Sequence, residues 1–225
     1  MKKIGMLVAV ELESILGRYP LAQAPQIISG FPVYAYRMGE AEIFAIHSGA
    51  GEIAAAAATQ LLLTALQVEA VVNYGVVGGL TEEMALTRTC VVEKVVHYDF
   101  DTSAADGYPV GQYANYPDVY LPTSPALVRK ALQVAPTLKP VICASGDKFI
   151  DKAEEKRRLH AAFGADICDM ESAAIVLTCN RAQIPCLLIK TVSDSITGGA
   201  EEFNQSILQA SNVCLAITEQ IIQAL

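Results

Sequence analysis

Apolar residues in this chain gather in short unbroken runs, and between them apolar and polar positions recur at helical spacing. Residues 3–10, 70–76, 90–96, 138–145, 166–169 and 186–192 are such runs. A run with no polar alternation suits a strand covered on both faces. Residues 32–37 and 42–48, joined by Met38-Gly39-Glu40-Ala41, read as a hairpin. The Ala- and Leu-rich stretch 52–67 reads as a buried helix. Further helices are expected at 125–135, 151–162, 171–182 and about 202–224. Strands alternating with helices imply a mostly parallel sheet covered on both faces, and nothing resembling a linker or repeat divides residues 1–225, so one domain is expected. Residues 97–121 are polar, rich in Gly, Pro and Tyr, and without period; a segment of this length in a compact domain is a functional or partner-contact loop.

The 225 residues are 52% hydrophobic and 18% charged, which favours a large buried core. A formal net charge of −8 without a basic stripe argues against a nucleic-acid partner. Lys156-Arg157-Arg158, preceded by Glu154 and Glu155, reads as a solvated helix face. Six scattered cysteines without a CxxC pair read as reduced, buried thiols, and three histidines without ligand spacing give no metal site. The apolar run after Lys2-Lys3 is too short for a signal peptide and meets Glu11 and Glu13 at once. Residues 53–66 are broken by Thr59, Gln60 and Thr64 and fall short of the ~20 residues of a membrane span. A cytoplasmic protein is the expectation.

The candidate chemistry lies at the ends of the apolar runs. Asp169-Met170-Glu171 closes one and Ser193-Asp194 another, while Glu13 follows the first. Open α/β sheets bind ligands outside the carboxyl ends of their strands. Three acids at that rim suggest acid/base work on a small neutral or cationic molecule. Alone, Asp194 is an N-cap and Glu171 a helix-dipole partner; their joint placement is the signal. Gly75-Val76-Val77-Gly78-Gly79 lets backbone pass close to a flat ligand, and Ser145-Gly146-Asp147-Lys148-Phe149-Ile150 offers an aromatic face. Gly49-Ala50-Gly51-Glu52-Ile53-Ala54 matches a dinucleotide fingerprint, but it follows a hairpin, and the acid expected ~20 residues on, Glu69, precedes its strand; a tight turn is the better reading.

Taken together, these segments resemble the nucleoside phosphorylase/nucleosidase superfamily, closest to 5′-methylthioadenosine/S-adenosylhomocysteine nucleosidases. The resemblance is carried in order by Glu11 and Glu13, Ser48 to Gly51, Asn73 to Gly79, Tyr98 to Thr102 with Gly107-Tyr108 and Gly111-Gln112, Ser145 to Ile150, Asp169 to Glu171, and Val192 to Asp194. It implies a three-layer αβα fold with a mostly parallel, partly mixed sheet, a purine nucleoside as ligand, and no cofactor. By that resemblance Asp194 is the acid at purine N7, Glu13 the base for water, and Glu171 the carboxylate on the ribose hydroxyls. Met170 packs on the sugar, Phe149 stacks on the purine, Ile150 reads its edge, and Phe203 flanks the 5′ substituent, with Val77, Gly78 and Ser193 lining the site. The resemblance also implies a homodimer in which the 97–121 segment, with Asp106 and Tyr108, completes the neighbouring site. Three residues depart from the family pattern: Lys190 for an arginine, Val76 for a serine, and Asp106 for an aromatic residue. The phosphate-binding arginines of phosphorylases are replaced by Glu11, Glu13 and Asn73, which favours water as nucleophile. A phosphate-dependent phosphorylase and a non-catalytic nucleoside-binding protein remain as alternatives.

Overall fold

Alternate residues of the first strand point to opposite helical layers, and this sets the architecture. In β1 (Lys3–Val8), Leu7 packs into the core under one layer, while Ile4, Met6 and Val8 pack into the core under the other. The computed structural model describes residues 2–20 and 24–225. After β1 come α1 (Leu12–Arg18), β2 (Gln26–Ile28), β3 (Phe31–Met38), β4 (Ala41–His47), α2 (Glu52–Thr64), β5 (Ala70–Gly79) and β6 (Thr89–His97). Then follow α3 (Ser103–Asp106), β7 (Tyr120–Pro122), α4 (Pro125–Val134), β8 (Lys139–Ser145), α5 (Ala153–Phe163), β9 (Ile167–Asp169), α6 (Ser172–Ala182), β10 (Cys186–Asp194) and α7 (Ala200–Gln223).

The ten strands among the described residues join one sheet. Helices α2 and α6 cover one face through Ala58, Leu62, Ile175 and Cys179, and α1, α4 and α7 cover the other through Ile15, Val128, Leu215 and Ile222. This is the three-layer αβα arrangement expected. Five strand pairs run parallel: β1 beside β4 and β5, β5 beside β10, and β8 beside β6 and β9. The edge hairpins and the pairs β10–β6 and β5–β9 are antiparallel, so the sheet is more evenly mixed than the pattern suggested.

Three boundaries differ from expectation in ways that matter at the rim. β1 stops at Val8, and Val10 is 43% exposed. β5 runs on through its glycines to Gly79, because Gly78 and Gly79 pair with Cys168 and Ile167 of β9. A β-carbon on Gly79 would lie 2.2 Å from the Met84 carbonyl oxygen, so only glycine allows that passage. The aperiodic 97–121 segment holds α3 and β7; stacked Phe100 and Tyr113 rings 4.1 Å apart brace it internally, and Tyr120 Oη, donating to the Phe163 carbonyl at 2.9 Å, ties it to the domain.

Candidate active site

The carboxyl ends of β1, β5, β9 and β10 open into a cavity of about 160 Å³. Its wall carries Glu11, Glu171 and Asp194, together with Val77, Gly78, Phe149, Ile150, Met170, Ser193 and Phe203. Ala9, Val10, Ala50, Val76, Lys148, Cys168 and Asp169 complete it. Nine of the twelve residues expected at the site thus line one cavity.

Glu13 does not line this cavity. It is exposed in the first turn of α1, while Glu11, only 4% exposed, occupies the rim. The cause is the early end of β1: the chain bends at Ala9-Val10, and it is the residue before α1 that turns inward. Glu11 Oε1 accepts from the Val76 amide at 2.8 Å, and Oε2 from the Val10 amide at 3.0 Å. A β-carbon on Gly75 would lie 2.9 Å from Glu11 Oε1, so the bare glycine makes room for this carboxylate.

Asp106 and Tyr108 also lie elsewhere. Asp106 is exposed and engaged locally, accepting from Thr102 Oγ1 at 2.8 Å and from the Tyr108 amide at 3.1 Å. It borders a second hollow beside Phe100, Tyr113 and Arg181, on the surface of the 97–121 segment.

Glu171 occupies the position before α6 but makes no side-chain cap. Its carboxylate instead accepts from the Gly51 amide at 3.0 Å and the Met170 amide at 3.3 Å. Gly51 reaches it by adopting φ of +101°, a conformation that favours glycine. Burial, reinforced by the nearby Asp169 charge, pushes the Glu171 carboxyl up to about 7.

Beneath Glu171 lies a polar network that the sequence did not reveal. Lys190 is buried and pairs with Asp169 at 2.7 Å. Asp169 also accepts from the Ser172 amide at 3.2 Å and from the Ser172 hydroxyl. Ser145 Oγ lies 2.7 Å from Asp169 Oδ1 and 2.6 Å from Glu52 Oε1, and it accepts from the Ala173 amide at 3.1 Å. A hydroxyl has one proton, so it cannot serve two carboxylates at once. Asp169 already has an ammonium, so the missing proton belongs to Glu52. Burial agrees, raising the Glu52 carboxyl from its usual 4.5 to about 8.

This proton has a consequence for stability. The folded-state pKa of Glu52 is raised, so its contribution is fully present below pH 4.5 and lost as pH rises through about 8. The shift corresponds to on the order of 5 kcal/mol between those limits. Glu52→Gln reproduces the protonated pattern: its amide can donate to Ser145 Oγ while its oxygen accepts from the Ala174 amide, as Glu52 Oε2 does at 2.6 Å. The variant is expected to melt within about 2 °C of wild type at pH 5 and roughly 10–20 °C above it at pH 8.5. Equal differences at both pH values would show that Glu52 carries no proton in the fold.

Asp194 is 2% exposed and is not an N-cap; the cap position of α7 is Gly199. Its Oδ1 accepts from Ser193 Oγ at 3.1 Å. Its Oδ2 meets the Nζ of Lys156 at 2.6 Å. Lys156 was expected on a solvated helix face, yet it is fully buried. The run of three cations concealed its place, although Ala153, Lys156, Leu159 and Phe163 recur at helical spacing along the covered side of α5. Burial raises the pKa of Asp194, and Lys156 acts against that rise.

Phe149 and Phe203 meet edge to face with centroids 5.4 Å apart. Phe149 remains 39% exposed, leaving an aromatic face available beside Asp194. The six cysteines are free and buried, with Cys168 bordering the cavity. Among the described residues no group of three or more His, Cys, Asp or Glu is placed to hold a metal, and no helix is long and apolar enough to cross a membrane.

A family model described as the Phosphorylase superfamily matches residues 3–223. The chain belongs to the phosphorylase superfamily. Within it, the chain is 29% identical over 228 residues to a 5′-methylthioadenosine/S-adenosylhomocysteine nucleosidase of Staphylococcus aureus (strain NCTC 8325 / PS 47), covering 99% of this chain and 98% of that one. Among solved superfamily structures it resembles the Helicobacter pylori 5′-methylthioadenosine/S-adenosyl homocysteine nucleosidase, with TM-score 0.93, 25% identity, and 100% and 99% of the two chains covered. It is equally similar to the native futalosine hydrolase of Helicobacter pylori strain 26695, with TM-score 0.93, 25% identity, and 100% and 98% covered.

Proposed function

We propose that this superfamily member is a purine nucleosidase that hydrolyses the N-glycosidic bond with water as the nucleophile. The observation that carries the reading is the set of three carboxylates, Glu11, Glu171 and Asp194, on the wall of one cavity beside an aromatic pair. Named activities of the similar proteins support it. Asp194 delivers a proton to N7 of the leaving purine, stacked against Phe149 and edged by the Ile150 backbone. The C1′–N9 bond breaks toward a ribosyl cation. Glu171 binds the ribose hydroxyls, and its charge favours that cation. Glu11 takes a proton from water as its oxygen bonds to C1′, giving free base and ribose. Glu11 replaces Glu13 in this role because it, and not Glu13, faces the cavity.

Water is preferred over phosphate because the available cations are engaged. Lys190 is spent on Asp169 and Lys156 on Asp194. Lys148, the one cation bordering the cavity among the described residues, is held by Glu155 at 2.5 Å. Glu11 and Glu171, carboxylates on the wall without a free cation beside them, repel phosphate.

Residues 1–225 act as one cytoplasmic domain in a homodimer, with Asp106 and Tyr108 meeting the 5′ group in the neighbouring site. The likeness to futalosine hydrolase adds a second candidate 5′ class. The deciding assay is free-base release from methylthioadenosine, adenosylhomocysteine, adenosine, inosine and futalosine, with and without phosphate. Release at equal rates in both conditions, with ribose product, is expected. Ribose 1-phosphate formed in proportion to phosphate would identify a phosphorylase, and binding without release a non-catalytic protein.

A further inference from the structure

Lys156 contributes to the site without touching the cavity. Its ammonium has three protons, and the structure uses all three: on Asp194 Oδ2 at 2.6 Å, the Ser195 carbonyl at 2.6 Å and the Gly198 carbonyl at 3.1 Å. The side chain is 0% exposed and borders no part of the cavity wall, whereas Asp194 does. The turn after β10 is held from the other side by Glu202, whose Oε2 accepts from the Ser195 amide at 2.6 Å and hydroxyl at 2.9 Å. The groups facing Asp194 are Lys156 from α5, Ser193 from β10, Cys168 from β9 and Glu202 from α7. Lys156 is the cation among them, and Glu202 is a second negative charge.

We propose that Lys156 is a positioning residue of the reaction: its ammonium fixes Asp194 at the purine edge and holds the carboxylate charge left behind when the proton passes to the base. This deepens the nucleosidase reading and rests on Asp194 being the acid. In the step itself the Asp194 O–H bond breaks, the N7–H bond forms, and the electron pair stays on Asp194. A buried carboxylate without a partner is costly. An ammonium already at hydrogen-bond distance requires no reorganisation at that moment. The ammonium also holds down the pH range over which Asp194 keeps its proton, against burial, which widens it.

The test is a pH profile of kcat and KM for wild type, Lys156→Met, Lys156→Gln, Lys156→Arg and Asp194→Asn, on the best substrate of the panel. Lys156→Met is expected to lower kcat at neutral pH roughly ten- to a hundredfold and leave KM within a few-fold. Its alkaline limb, where Asp194 loses the proton, should move up by about one pH unit or more. Lys156→Arg should restore both the rate and the limb. Lys156→Gln keeps a donor for the Ser195 and Gly198 carbonyls, so it gives the same readout if the methionine variant fails to fold. A limb that stays in place in the neutral variants, whatever happens to kcat or melting temperature, overturns the proposal and leaves Lys156 a purely structural ion. Asp194→Asn separates the two failures: near-normal turnover in that variant rejects the underlying reading, while an inactive Asp194→Asn with an unmoved limb rejects only the role of Lys156.

Discussion

Glu11→Gln is expected to bind a purine nucleoside and leave it intact, with kcat down by about 10²- to 10⁴-fold. The amide is isosteric but takes no proton from water. It should also fit without disrupting the rim. Its oxygen can keep the Val76 amide bond now made by Oε1, and its nitrogen then faces Val10. Val10 is 43% exposed, so its amide finds water instead. Melting temperature should therefore change little, and KM should stay within a few-fold. Glu13→Gln is the matched control, because Glu13 is exposed on α1 and lines no part of the cavity; its kcat should remain within about threefold of wild type, as for an ordinary surface change. Steady-state rates of the two variants, with nucleoside binding by calorimetry on Glu11→Gln, decide the matter. The reverse pattern, an active Glu11→Gln and a dead Glu13→Gln, would return the base to Glu13 and require α1 to turn when substrate binds.

That two-residue difference shows where the sequence stops being informative. The strands were legible because unbroken apolar runs such as 186–192 have no other economical reading than burial on both faces, and β10 is indeed buried throughout. The Ala-rich α2 was legible for the same reason. The ends were harder. Ala9 and Val10 continue the apolar pattern of β1, yet they form the bend that turns Glu11 inward, and no periodicity marks where a strand stops pairing. Gly78 and Gly79 lie beyond the apolar run 70–76, but their pairing with the three-residue β9 extends β5. β2 was missed because Gln26-Ile27-Ile28 is too short to show alternation. Pocket residues carried by a recognisable segment, such as Phe149, Met170, Glu171 and Asp194, meet in space as their placement at strand ends suggested. The buried partners behind them did not announce themselves. Lys156 and Lys190 pair with carboxylates that are distant in sequence, and charge alone does not tell a buried ion from a solvated one.

Asp194→Asn is the second large effect. Turnover should fall about 10²- to 10⁴-fold, because an amide N–H can hydrogen-bond purine N7 but cannot transfer its proton to it. The substitution suits the pocket locally. The amide oxygen can face Lys156 Nζ, and the nitrogen can donate to Ser193 Oγ, whose own proton goes to the Val77 carbonyl at 3.3 Å. What it loses is charge balance: Lys156 keeps two carbonyl acceptors but no counterion in a fully buried place. Breaking one side of a buried ion pair costs about 3–5 kcal/mol, so a lower melting temperature is expected alongside the kinetic loss. The two effects separate in a binding measurement. Nucleoside affinity within a few-fold of wild type, on protein shown to be folded at the assay temperature, assigns the rate loss to the missing proton. The pH profile adds an independent check, since wild-type kcat should decline towards alkaline pH as Asp194 ionises, and the residual rate of the variant should lack that decline. A folded Asp194→Asn enzyme that loses less than tenfold in kcat would remove Asp194 from the acid role, and the proton would then have to reach the base from solvent.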